Sequence, residues 1–129
     1  MSKPTGCRRL LWVDCTAGAV VGVAVLLTHG WLSEWFGLPR ALLRFTGAAN
    51  LAYGAYSFSL AVRSERPRAL ILLLIGANVL WAVLCVRWAT VYGESATWLG
   101  LAHLLLEALF VGGLGVAEWR CREQLRTAL

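Results

Sequence analysis

Charge is the scarcest ingredient of this chain. Only 15% of its residues are Asp, Glu, Lys or Arg, against roughly 25% in soluble domains. Too few polar groups are present to cover a globular surface, so a soluble fold is the first class excluded. Proline is equally scarce, with only Pro4, Pro39 and Pro67, and long stretches therefore hold nothing that breaks a helix. The four cysteines, Cys7, Cys15, Cys85 and Cys121, form no C-x-x-C pair. A thiol-disulfide or zinc-knuckle site lacks its minimum motif, and the four read as unrelated small hydrophobes. There is no P-loop, no Gly-x-Ser-x-Gly elbow, no His-Glu-x-x-His and no dinucleotide fingerprint. No soluble portion is large enough to hold such a site, and these absences favour a non-enzymatic role.

What is present is hydrocarbon. Apolar residues make up 59% of the chain and the mean hydropathy is +0.66. They fall into four segments at about residues 10–28, 41–62, 69–91 and 97–117. A helix rising 1.5 Å per residue needs roughly 20 residues to cross the hydrocarbon core, and each segment is long enough. The connections Ser64–Arg68 and Tyr92–Ala96 are short, which forces sequential helices to be antiparallel neighbours. Ser95 is positioned to cap the last helix. The first connection, Gly30 to Arg40, is longer and aromatic, and is expected to lie along the interface. The expected fold is thus all-α: one integral membrane domain over residues 1–129, an up-down-up-down four-helix bundle. The first segment follows Arg8 and Arg9 but lacks a small-residue cleavage site, since Thr28-His29-Gly30-Trp31 is bulky and polar. It is expected to be a retained helix rather than a cleaved signal.

The net charge of +5 does not indicate nucleic acid, because the basic residues sit at segment ends. Lys3, Arg8, Arg9, Arg63, Arg66, Arg68, Arg120, Arg122 and Arg126 share the side of the termini, while Arg40, Arg44 and Arg87 occupy the other. Nine against three is the asymmetry of the positive-inside rule, so both termini are expected in the cytoplasm. The partner implied is the bilayer and its anionic headgroups. Trp12 and Trp119 fall at the inner boundary, and Trp31, Trp35, Trp88 and Trp98 at the outer one, the depths that amphipathic rings prefer. Trp81 alone lies deep in a segment.

Against this background Glu107 stands out, near the middle of the last segment with His103 one turn before it. An acidic residue at that depth costs about 2.5–3.5 kcal/mol, while each Leu, Val or Phe of the segment returns about 0.3–0.6. The helix inserts, but its carboxyl requires partners from the bundle interior. At 1.5 Å per residue, Asn50, Tyr53 and Asn78 reach a similar central slab and are the expected partners. Asp14 is shallower and is expected near Arg8, Arg9 or headgroup water, as a secondary candidate. The motif Gly18-x-x-x-Gly22 and the stripe Gly47, Asn50, Gly54, Ser57 mark surfaces for close helix approach. For Glu107 and His103 four readings stay open: hydrogen-bonding glue between helices, a ligand or quinone site, a proton-transfer site, or a metal site. The last has too few ligands, so no metal is expected.

The order of several short motifs adds a resemblance. Trp12-Val13-Asp14 follows the basic start, Gly37-Leu38-Pro39 makes the outer turn, and Leu43-Arg44-Phe45-Thr46-Gly47 opens the second helix. A basic loop from Arg63 to Arg68 and Asn78-Val79-Leu80-Trp81 come next. Over residues 9–118 this resembles the small bacterial four-helix membrane proteins grouped as DoxX-like, whose named members are linked to quinone-dependent thiosulfate oxidation or to membrane redox assemblies. The resemblance implies a bacterial inner-membrane location and a quinone or protein-partner site within the bundle. It carries no catalytic residue onto Glu107 or His103. Taken together, the expected function is that of an accessory or binding subunit with a polar intramembrane pocket, partnered by another membrane protein or by copies of itself. No cofactor is evident beyond the quinone the resemblance implies. A quinone-linked redox subunit is the main alternative, and a proton-coupled transporter of small solutes the third.

Overall fold

A computed structural model of the chain describes residues 4–126. Lys3 and the side chain of Arg8, two of the nine basic groups on the terminal side, lie outside the described residues. Four long helices, α1 (Pro4–Phe36), α2 (Arg40–Ala61), α3 (Arg68–Val91) and α4 (Trp98–Arg120), are followed by a short α5 (Arg122–Leu125). Three of them, α1 from Arg9 onward, α3 and α4, are long and apolar enough to cross a membrane. α2, with 22 residues, has the length. Its Gly, Ser, Tyr and Asn residues keep it below the apolarity of the other three.

The first connection differs from expectation. α1 does not stop near Thr28 but continues to Phe36, and only Gly37–Pro39 separate it from α2. Gly30 alone does not end a helix, because glycine there costs only about 1 kcal/mol relative to alanine. The chain stops where a left-handed residue and a proline coincide. Gly37 has φ of 64°, its N–H closes on the Ser33 carbonyl at 2.9 Å, and Pro39 follows. At 33 residues α1 is about 50 Å long, well beyond a hydrocarbon core of about 30 Å.

α4 also runs further than expected, through Glu118 to Arg120. Its cap is Thr97, whose Oγ1 accepts from the Gly100 N–H at 3.2 Å. The Ser95 hydroxyl, expected in that role, turns instead to the carbonyls of Tyr92 and Gly37.

Neighbouring helices pack in two different ways. α1 and α2 meet backbone to backbone, as the glycine stripes suggest. A Cβ on Gly18 would lie 2.7 Å from the Asn50 carbonyl oxygen, and one on Gly22 would lie 2.8 Å from that of Gly47. Gly54 completes the contact against Ala19 and Cys15. The pairing of low numbers with high ones makes the two helices antiparallel. α3 and α4 form the second antiparallel pair, with Gly115 against Asn78 and Val79. α1 also packs on α4, whereas α2 and α3 touch only weakly.

Each end is closed by an apolar cluster. On the side of the termini, Leu11, Leu60, Ile71, Leu74 and Leu125 pack together. At the opposite end Val25, Leu38, Leu42, Leu43 and Leu104 do the same, with Phe36 and Trp88 against them. Both ends are also fastened. Phe36 O accepts from the Thr97 N–H at 2.9 Å, and Trp35 O from the Thr97 hydroxyl at 2.6 Å. At the terminal end Arg66, only 2% exposed, donates to the carbonyls of Leu60, Ala61 and Leu125. One of the basic residues expected to mark topology is thereby a clamp on the end of α2.

The same end carries a disulfide between Cys7 and Cys121, with Cα atoms 5.7 Å apart. This overturns the reading of four unrelated cysteines. The antiparallel course of the helices returns residue 121 to residue 7, an encounter that a separation of 114 positions conceals in the sequence. Cys15 and Cys85 remain free thiols.

Candidate functional site

Between the two apolar clusters lie two polar groupings, one above the other. The first is built around Glu107. Its Oε2 accepts from the Trp81 indole N–H and from Asn50 Nδ2 at 3.4 Å, while Oε1 lies 3.5 Å from His103 Nε2. The Cys85 thiol is beside the same carboxyl. Three helices thus supply groups to one partly buried acid. Asn50 is held by a second bond, to the Thr46 carbonyl at 2.9 Å. Trp81 is fixed by aromatic neighbours, with ring centres 6.2 Å from Phe45 and 5.4 Å from Trp88. His103 stacks on Phe36, centre to centre 4.8 Å. That stacking depends on the close seat of α1 on Gly100, where a Cβ would meet the Phe36 carbonyl oxygen at 2.1 Å.

The second grouping lies nearer the termini and joins all four long helices. Asp14 of α1 and Glu118 of α4 are 1% and 0% exposed. Their carboxyls interact directly, with Tyr53 of α2 and Asn78 of α3 alongside. Asn78 Nδ2 donates to Glu118 Oε1 at 2.7 Å, and Ser57 lies next to Tyr53.

The six residues singled out from sequence are therefore divided between two sites. Asn50 and His103 join Glu107 as expected. Asn78 and Tyr53 do not: they belong to the carboxyl pair. Asp14, expected to reach headgroup water, is buried inside the protein, while the side chain of Arg8, one of its expected partners, lies outside the described residues. Two participants escaped the sequence reading. Trp81 was visible as the one deep tryptophan, and its indole N–H is the donor such a position must satisfy. Glu118 was hidden because α4 appeared to end at Ala117. Its spacing from Gly100, Leu104, Val111 and Leu114, all buried on α4, follows the helical period and marks it as inward-facing.

A cavity of about 290 Å³ connects the two groupings, lined by Asp14, Asn50, Tyr53, His103 and Glu107 together with apolar residues of α1 and α4. Its rim includes Leu106 and Phe110, 64% and 47% exposed. A smaller space of about 210 Å³ lies between α2 and α3, where Asn50 and Tyr53 meet Asn78 and Trp81. Among the described residues no group of three or more His, Cys, Asp and Glu is arranged to hold a metal ion.

Set beside known proteins, the chain matches no family model, no curated protein and no solved structure.

Proposed function

We propose that this is an integral membrane protein that binds a bilayer-soluble ligand by a hydrogen-bonding headgroup, acting as an accessory or binding subunit rather than an enzyme. The observation that carries this reading is the cavity. Its floor is polar, its walls are apolar, and the bundle is closed by apolar clusters at both ends. A ligand reaching Glu107 and His103 comes sideways past Leu106 and Phe110, out of the lipid. Polar groups placed within an apolar pocket fix a ligand's orientation while burial supplies affinity.

All four long helices cross the bilayer in this reading, up-down-up-down. α2 crosses with α1 because the two lie in backbone contact from Gly47 to Gly54, and its Thr46, Asn50, Tyr53 and Ser57 turn inward rather than to lipid. The nine-to-three distribution of Lys and Arg favours cytoplasmic termini in a bacterial inner membrane. The Cys7–Cys121 bond counts against that orientation, because thiols are kept reduced on the cytoplasmic side and disulfides are rare there. A membrane-impermeant maleimide applied to intact cells, with and without reductant, tests the orientation: reaction of Cys7 or Cys121 from outside overturns it.

The ligand class with most in its favour is a quinone. Its carbonyl oxygens accept hydrogen bonds, and the His103 ring lines the cavity wall. The DoxX-like resemblance of the sequence points the same way, and a quinone-linked redox subunit is the second reading. A proton-coupled solute transporter is the third. The test is carbodiimide labelling of the protein in lipid, mapped residue by residue, with a short-chain ubiquinone analogue as competitor. Protection of Glu107 by the analogue, absent in a His103→Leu variant, is the expected result. Labelling of Glu107 that the analogue does not alter, in a protein that purifies with no quinone, removes the quinone reading. If no extracted lipid-soluble molecule depends on Glu107 either, the site is only structural glue.

A further inference from the structure

The binding reading makes no use of the second polar grouping. Asp14 and Glu118 are two carboxyls in contact, both buried, and among the described residues neither has a salt bridge. Among the described residues, the groups facing them are Tyr53 from α2, with Ser57 beside it, and Asn78 from α3, none of them a cation. Both Asp14 oxygens, Glu118 Oε2, the Tyr53 hydroxyl and the Ser57 hydroxyl have no hydrogen-bond partner of normal geometry. Ser57 is itself fully buried. Five oxygens from three helices are thus gathered with a single amide donor among them, the one Asn78 gives to Glu118.

Two adjacent carboxylates in a medium of low dielectric cannot both be ionised without a counter-charge. Asn78 is neutral and satisfies only one oxygen. A proton between the acids turns two mutually repelling acceptors into a donor and an acceptor. Asp14 and Tyr53 also line the cavity, so the pair lies directly behind its wall, although its oxygens are themselves buried. The space of about 290 Å³ is ample for several waters, each of which takes about 30 Å³.

We propose that Asp14 and Glu118 form a proton-exchange site at the floor of the cavity, sharing one proton and accepting a second from the cavity through Tyr53. The transfer balances with a solvent proton as its only reactant. A hydronium ion in the cavity gives its proton to Tyr53 Oη as the Tyr53 hydroxyl proton passes to Asp14, and is left as water. The pair changes from one proton and net charge −1 to two protons and net charge zero, and Tyr53 is regenerated. The bottom of the site is closed by Leu11, Leu60 and Leu74, one turn further towards the termini, so the exchange runs towards Glu107 and His103. This inference does not depend on which ligand the cavity takes.

The experiment is infrared spectroscopy of the carboxylic C=O stretch, on the full-length protein in phosphatidylcholine nanodiscs, titrated with pH and exchanged into D₂O. At neutral pH the wild type is expected to show a protonated carboxyl. Its band is lost or displaced in both Asp14→Asn and Glu118→Gln, and retained in Glu107→Gln. Tyr53→Phe retains the band but slows its deuterium exchange by roughly tenfold or more, as loss of a positioned proton-transfer group does. A wild type with no protonated carboxyl at neutral pH overturns the proposal, as does a band that survives both Asp14→Asn and Glu118→Gln. Should those two variants fail to fold, Glu107→Gln still decides: disappearance of the band assigns the proton to Glu107 instead.

Discussion

Two of the internal seams of this molecule are built on opposite principles. Between α1 and α2 the contact is made by the absence of side chains: Gly18, Gly22, Gly47 and Gly54 bring the backbones together. Between this hairpin and the one formed by α3 and α4 the contact is apolar at both ends and polar in the middle, where it holds cavities. Asp14, Asn50 and Tyr53 face Asn78, Trp81, Glu107 and Glu118 across it. In lipid there is little hydrophobic force between helices, so association comes from close packing and from hydrogen bonds. One seam uses the first and the other the second. A seam of packed backbone has no room for a ligand. A seam of hydrogen-bonded side chains leaves space between them, and that is where chemistry is available.

The contrast predicts graded consequences when each seam is damaged. The largest belongs to the glycine seam. Gly54→Val places a side chain against the backbone of Ala19, already only 3.0 Å from an added Cβ. It is expected to cost about 3 kcal/mol or more, since overpacked sites with no flexible neighbour reach the upper end of the usual range. Thermal unfolding in detergent should show a fall of many degrees or no monodisperse protein. A Gly54→Val protein as stable as wild type would mean that the two helices are not in backbone contact.

Next comes the staple between the hairpins. The Cys7–Cys121 bond joins α1 to α4 across the polar seam, and its removal by reductant or by Cys7→Ser is expected to cost about 2–3 kcal/mol, within the usual range for a disulfide. Equal unfolding temperatures with and without reductant would show that the polar seam holds by itself. Smaller again is Asn78→Leu, which takes from Glu118 its one strong donor. About 2 kcal/mol is expected, the scale of a hydrogen bond to an acidic group, read from the same melts.

The smallest effect on stability is expected from Trp81→Phe. Glu107 keeps Asn50 and His103, so the loss is about 1 kcal/mol. Ligand protection of Glu107 from carbodiimide should nonetheless weaken, because the carboxyl loses the group that orients it. If stability falls as far as in Asn78→Leu while protection is unchanged, the Glu107 grouping is a structural joint and the division between the seams is one of degree only.

Much of this arrangement was legible in advance. The number and approximate extent of the long helices followed from four apolar segments of the right length, though the short α5 did not, and the glycine stripes announced the α1–α2 contact. Glu107, His103 and Asn50 were identifiable because a carboxyl deep in an apolar helix has to find partners. Depth alone was a poor guide to which partners meet. Asn78 and Tyr53 reach a similar depth to Glu107, yet rotation about their helix axes turns them towards Asp14 and Glu118. The extension of α1 to Phe36 was missed because a polar, aromatic stretch reads as a loop, although nothing before Gly37 and Pro39 can stop the helix.

By itself, then, the sequence determined that this is an all-helical chain with segments long and apolar enough to cross a membrane, because its charge is scarce and its apolar runs are about as long as a hydrocarbon core is thick. It also determined that one acid lies deep and needs company, since that cost is a property of residue and position. Only the tertiary structure decided which company. The division of the polar residues into two sites, the carboxyl pair of Asp14 and Glu118, and the Cys7–Cys121 bond all join residues far apart along the chain. The physical reason is that hydrogen bonds and disulfides act over a few ångströms, and contacts between helices are fixed by their rotation and register, which no local pattern records.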